Sequence, residues 1–422
     1  MRPSRATTRS ASPEVGVAAV DLEALLPPTE ALERAGLSAA GVIGPRAQEL
    51  VATAIGRLVR PDRPIVVFTH AQSPGTLLGE GAPFHRVRER LREREIDAIE
   101  WAALEQIEPP DLSQLDPAGL RPAVFVVISP DSTAGSGAGR LTGAQRARDL
   151  ANTVQALLDA GEPVLLNLNP SVYPTYGDAD PLAALVAPFG ITPRTGTTLL
   201  TDVAGGPQGR RAGEMTEVVA QGGDHAIADA VRGLRVLMPW AVPVDIAEPA
   251  PGDNARAWPI LGIGAEQAAN LWAESRWLRL WSTPANARAM LTDQPVFNQN
   301  DDERREGWVL GAAAERSTRF GPSRVVVMGS NGWCSDGAVM GAAQLVDGRV
   351  TTRYPGNGVL LDGAIHWLAG LEELIAPGAD ARPVATVKPL GPGPLSTLRW
   401  VLLGVTPGLI LVAGGAYRAL RG

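Results

Sequence analysis

Residues Pro122–Pro170 hold the stretch that decides the fold. It opens as PAVFVVISP (Pro122–Pro130), continues through TGAQRARDLANTVQALLDAGE (Thr142–Glu162) and closes on PVLLNLNP (Pro163–Pro170). The first and last pieces are short, unbroken apolar runs bounded by proline, the pattern of strands buried on both faces. The middle piece carries apolar residues at helical spacing, with Thr142 placed to cap its start and Gly161 to stop it. Working outward, RPIVVFTH (Arg63–His70) reads as another buried strand, PFHRVRERLREREID (Pro83–Asp97) as a charged amphipathic helix, and IDAIEW (Ile96–Trp101) as a second strand. DPLAALVAPFG (Asp180–Gly190) is expected to be a helix ending at Gly190. Alternation of apolar runs with amphipathic helices predicts an α/β fold built on a doubly wound, mostly parallel sheet.

Six segments follow. Residues 1–44 are expected to be irregular, and PRAQELVATAIGRLVR (Pro45–Arg60) opens the first part of the α/β domain, 45–190, as a helix. Residues 191–322 hold six of the ten tryptophans (Trp240, Trp258, Trp272, Trp277, Trp281 and Trp308) and read as an insertion or subdomain. The α/β domain is completed by 323–374, with SRVVVMG (Ser323–Gly329) as a strand and GNGVLLDGAIHWLAG (Gly356–Gly370) as a helix. A Pro/Gly-rich stalk, 375–398, then leads to 399–422. There, Trp400–Tyr417 is a run of 18 uncharged residues flanked by Arg399 and Arg418, with aromatic rings at both ends. This is the length and edging of a transmembrane helix. The N-terminus is polar, with no apolar core of a signal peptide.

Composition bounds the function. Net charge is −7 and Lys388 is the only lysine. No basic block is long enough to suggest a nucleic-acid partner. A single cysteine excludes an internal disulfide and a cysteine-based zinc site. The four histidines are scattered, so no metal or cofactor site is expected.

In doubly wound folds ligands lie beyond the C-terminal strand ends. The ligand-cleft candidates there are His70, Ser129, Asp131, Asn167, Asn169, Asn331 and Asp336. Gly-rich STAGSGAGR (Ser132–Arg140) lacks the phosphate-loop spacing and reads as a loop. Asp178 and Asp180 read as helix-initiating rather than cation-binding, and NLWAESRWLRLW (Asn270–Trp281) as an amphipathic edge rather than a stacking platform. Cys334, in VVVMGSNGWCSDG (Val325–Gly337), lies six residues beyond Met328. A nucleophile elbow needs its reactive residue directly after the strand. His366 is the nearest histidine in sequence, in mid-helix, and reads as a core-edge residue. No catalytic residue is expected.

Four features resemble the gliding-motility-associated (Gld-G-type) auxiliary proteins of ABC transport systems. They are ELVATAIGRLVR followed by RPIVVFTH; PAVFVVISP followed by LTGAQRARDLANTVQALLDAGEPVLLNLNP; PLAALVAPFGITP; and RVVVMGSNGWCSD followed by YPGNGVLLDGAIHWLAG and the terminal apolar run. They cover roughly Glu49–Gly190 and Arg324–Arg421. This chain departs from the family in having Thr69-His70-Ala71-Gln72 where the family has Gly-His-Gly-Glu, and Ser330 and Gly332 at the family's loop aspartates. Trp333 falls on the family's aromatic position and Cys334 on a small-residue one, which makes Cys334 a packing residue after a buried ring. The resemblance implies a flavodoxin- or glutaminase-like sheet and a non-catalytic, single-pass membrane-anchored subunit. It implies ABC permease and ATPase subunits as partners and an extracytoplasmic soluble domain. The alternatives are a membrane-tethered glutaminase-like hydrolase and a glycan-binding module using the Trp-rich middle.

Overall fold

Apolar side chains alternate along every central strand between two cores, and both faces of the sheet are covered. In the computed structural model, Val66, Phe68, Val124, Val126, Leu165, Val326 and Met328 enter one core. Their neighbours Val67, Phe125, Val127, Val164, Leu166, Val325 and Val327 enter the other. Burial on both faces explains why these strands read as continuous apolar runs. The structure describes residues 63–132, 141–204, 210–213, 215–248, 254–275, 296–318, 321–341, 343–346 and 349–376, together with 400–405, 407–408, 416–417 and 421.

The elements, in chain order, are β1 (Ile65–His70), α1 (His85–Glu93), β2 (Asp97–Ala102), β3 (Ala123–Ile128), α2 (Gly143–Ala160), β4 (Val164–Asn167), α3 (Pro181–Ala184), β5 (Ile191–Pro193), β6 (Thr198–Ala204), β7 (Arg210–Gly213) and β8 (Met215–Val219). They continue as α4 (Ala226–Ala230), β9 (Arg235–Pro239), β10 (Val244–Ile246), β11 (Ala255–Ile263), α5 (Ala265–Ala268), β12 (Leu271–Glu274), β13 (Trp308–Thr318), β14 (Gly321–Met328), α6 (Asp336–Val339), β15 (Ala343–Val346), β16 (Arg349–Thr352) and α7 (Pro355–Leu368).

The main sheet has seven strands in the order β11-β13-β14-β4-β3-β1-β2. Strands β2, β1, β3, β4 and β14 are parallel to one another, while β13 and β11 add on antiparallel beside β14. The molecule is therefore a mixed α/β fold with a mostly parallel sheet, as expected. Helix α2 is fixed at both ends. Thr142 and Gln145 form a reciprocal capping box, and Gly161 stops the helix at φ 79°, in the left-handed region that favours glycine.

Three expectations are corrected or bounded. Residues 191–322 are not separate from the sheet, because β11 and β13 lie in that segment and form its antiparallel flank. Of its four described tryptophans, Trp272 and Trp308 are buried and Trp258 packs half-buried against the first core, and Trp272 meets Phe297 edge-on at 6.5 Å. Asp180–Gly190 is not one helix. It is the short α3, capped by Asp180 through Leu182 N and Ala183 N at 2.9 Å each, and then a 3₁₀ turn at Ala187–Phe189. Pro188 removes a backbone donor there, which interrupts a continuous helix. The helix expected at Pro45–Arg60, the loop residues 133–140, residues 276–295 and most of the stalk lie outside the described residues.

The chain divides into two compact units, Met1–Pro383 and Val384–Gly422. In the second, Val401–Val405 forms a wide helical turn, and Trp400, Leu403 and Tyr417 are exposed. Much of the expected span Trp400–Tyr417 lies outside the described residues. Among those described, no helix is long and apolar enough to cross a membrane.

Candidate functional site at the strand ends

The C-terminal ends of β3, β4 and β14 bring four of the seven candidates together. Asn167, the last residue of β4, is fully buried. Its amide nitrogen donates to Val127 O at 2.9 Å, and its oxygen accepts Trp333 Nε1 at 2.7 Å. Asn331, in the loop after β14, donates to Ser129 O at 2.6 Å and accepts Ser129 Oγ at 3.3 Å. Ser129 Oγ in turn accepts Asn169 N at 3.1 Å. Two asparagine amides and one hydroxyl thus stitch three strand ends to one another.

The loop Gly329–Asp336 is held down from both sides. Below, Gly329 lies so close to Val242 that a Cβ would sit 2.0 Å from Val242 O, so only glycine fits. Above, Asn357 in α7 donates to Trp333 O at 2.7 Å and to Leu237 O at 2.8 Å, and accepts Leu237 N at 2.8 Å. One side-chain amide therefore serves as the missing strand neighbour for Leu237 in β9. Ser330 Oγ donates to Pro239 O and accepts Gly332 N at 3.2 Å.

Cys334 is fully buried within this loop. Its sulfur lies 3.6 Å from Asn331 O and 3.9 Å from Asn167 Oδ1. Burial pushes its thiol far above the ordinary range, so it stays protonated. A nucleophilic cysteine needs the opposite, an accessible site with a lowered pKa. Trp333 is fully buried beside it, so the pair packs as the sequence predicts.

The remaining candidates face elsewhere. Asp336 caps α1, its carboxylate accepting Arg86 N at 2.9 Å and Val87 N at 2.8 Å. An acidic group is well placed at the positive end of a helix. Asp131 follows β3 and is exposed. His70 is buried at the end of β1, with Nδ1 accepting Gln72 N at 3.1 Å. That bond leaves the proton on Nε2, which lies 2.9 Å from Glu100 Oε1. Burial lowers the pKa of His70, with the neighbouring Glu100 opposing the shift. The carboxylate of Glu100 also accepts Leu77 N at 3.1 Å and Leu78 N at 3.3 Å, so the pair pins the loop after β1.

Glu100 and Asn357 were not predicted from the sequence. Asn357 had a usable signal: an asparagine between two glycines near the start of a helix has weak helix propensity and calls for another role. Among the described residues, no group of three or more His, Cys, Asp or Glu side chains is placed to hold a metal ion. No protein-family model, curated protein or solved structure matches this chain.

Proposed function

We propose that this chain is a non-catalytic auxiliary subunit of an ABC-type transport system, tethered to the membrane by Trp400–Tyr417. The observation that carries the reading is the closed hydrogen-bond network at the strand ends. Asn167 is engaged by Val127 O and Trp333 Nε1, Ser129 and Asn331 by each other, and the lone thiol is buried and protonated. Groups that would do chemistry in a doubly wound, flavodoxin-like enzyme instead hold the fold together. The 18-residue uncharged run with aromatic ends supports the membrane tether. The transport partner rests on the sequence resemblance.

The test is affinity purification of the full-length chain from detergent-extracted membranes of its native cell. The reading predicts that an ABC permease and its ATPase copurify in a fixed ratio. Repeated recovery of the chain without them overturns it.

A further inference from the structure

The main sheet ends on two different edges, β11 and β2. β11 is blunted: Pro259 lacks a backbone donor, and the register with β13 shifts on both sides of Leu261. β2 has neither device. Its six residues keep unbroken parallel register with β1, from Ile65↔Asp97 to His70↔Ala102. Just past the strand, Ala103 N donates to His70 O at 2.9 Å. Along a parallel ladder, residues that bond a neighbour alternate with residues that turn away from it. Asp97, Ile99 and Trp101 therefore bond β1, while Ala98, Glu100 and Ala102 turn their N–H and C=O groups off the sheet. The Ala102 end is closed, because its carbonyl accepts Glu105 N at 3.0 Å and Gln106 N at 2.9 Å. Among the described residues, none bonds the backbone of Ala98 or Glu100.

The side chains of this edge do not repel a partner strand. Asp97 is paired with Arg121 at 2.6 Å. Glu100 is held by His70 and by the Leu77 and Leu78 N–H groups. Ala98 and Ile99 are apolar and half-buried, packed against opposite cores. The edge thus offers two donors and two acceptors, on residues two apart, with an isoleucine between them.

We infer that β2 is the contact edge of a twofold dimer, pairing antiparallel with β2 of a second copy so that the two sheets become one. The open groups set the register. With Ala98 opposite the copy's Glu100, and Glu100 opposite its Ala98, every open N–H and C=O on both strands is paired. Ile99 then meets its own copy on the axis, at the ~4.5 Å Cα separation of a non-hydrogen-bonded pair. A shift one way puts Glu100 against Glu100 and Ala98 against Ala102, whose carbonyl is already used. A shift the other way puts Glu100 against Ile96, whose N–H is already given to Leu91 O at 3.0 Å. A second copy is the occupant because the edge is complementary to itself, as a twofold contact requires. Four hydrogen bonds and one isoleucine pair make a small interface, which places the dissociation constant in the micromolar range. The dimer goes beyond the auxiliary-subunit reading and does not depend on it.

Cross-linking and sedimentation of the full-length chain in detergent test it. Cys334 is buried and stays silent, so an introduced cysteine reports alone. Ile99→Cys should form an intermolecular disulfide under mild oxidation with oxidised glutathione, because the two Cα atoms fall within bridging range. Asp97→Cys should link at least ~10-fold more slowly, since four residues of offset put its two copies ~14 Å apart. In sedimentation up to about 100 µM, the wild type should pass from monomer to dimer. Ala98→Pro removes the outward N–H at a position where an edge strand tolerates proline, and should weaken the dimer at least ~10-fold with an unchanged circular dichroism spectrum. If Ala98→Pro alters the fold, the Ile99→Cys disulfide decides alone. A wild type that stays monomeric, a dimer indifferent to folded Ala98→Pro, or Ile99→Cys linking no faster than Asp97→Cys each overturns the inference.

Discussion

Asn167 illustrates how a polar residue at a strand end can be structural. Replacing it with alanine leaves the buried Trp333 Nε1 without its acceptor and removes the side-chain hydrogen bond to Val127 O. The loss of satisfied buried groups plus a small void should cost about 2–4 kcal/mol, read as a lower urea midpoint with an unchanged m-value. Histidines supply the pH dependence. His366 and His225 are both lowered to about 4. For His366, burial dominates, Asp362 opposes it, and Arg63 and Arg94 push the pKa down further. For His225, burial and then Arg324 lower it, against Glu372. In the unfolded chain both titrate near 6.5, so between about 6.5 and 4 the unfolded state binds more protons. Stability is therefore full above pH 6.5 and falls as the pH drops towards 4, by up to roughly 3 kcal/mol per histidine. Urea unfolding at a series of pH values checks this, and His366→Gln should flatten the acid limb. Ser129, Asn167 and Asn331 were legible because they end strands that were themselves legible. Glu100 and Asn357 were not, since their roles depend on neighbours brought close only by folding: His70, and Leu237 some 120 residues away.

At the scale of elements, the parallel strands were readable because burial on both faces leaves an uninterrupted apolar signature. The antiparallel flank was not. β11 is interrupted by Pro259, where its register with β13 shifts. A proline on a sheet-edge strand needs no ladder partner on its outer side. β13 is dominated through its middle by Gly311, Ala312, Ala313 and Ala314, which carry little strand propensity. The smallness has a reason at Gly311, where a Cβ would meet Met328 Sδ at 2.6 Å. The turn leaving β14 is under a stricter constraint, since the atom opposing Gly329 is a backbone oxygen that no side-chain rotation can move aside. Gly329→Ala should therefore cost more than about 2 kcal/mol and shift the whole loop, visible as a lowered thermal midpoint and altered near-UV signal from Trp333.

Across the whole molecule, the early and late parts of the chain are locked together through α1. Asp336 caps its start, and at its far end Arg90 forms a bidentate pair with Asp362 of α7, both bonds 2.8 Å. Arg94 joins the same carboxylate. Burial alone would raise the Asp362 pKa, but the two guanidinium groups outweigh it and hold it below the usual range. Asp362→Asn leaves the half-buried Arg90 without its counter-charge and takes one partner from Arg94, and should cost about 3–5 kcal/mol, measured by chemical unfolding. The proposed role depends on these interior polar groups serving as structure rather than chemistry, and Cys334 exposes that claim most directly because it is the only thiol in the chain. The deciding measurement is its alkylation by iodoacetamide at pH 8, in the folded protein and in urea. A buried, protonated packing residue should react at least ~100-fold more slowly in the folded state. Labelling of the folded protein at a rate close to that in urea would mean an accessible, activated thiol, and would contradict the structural reading of the strand ends.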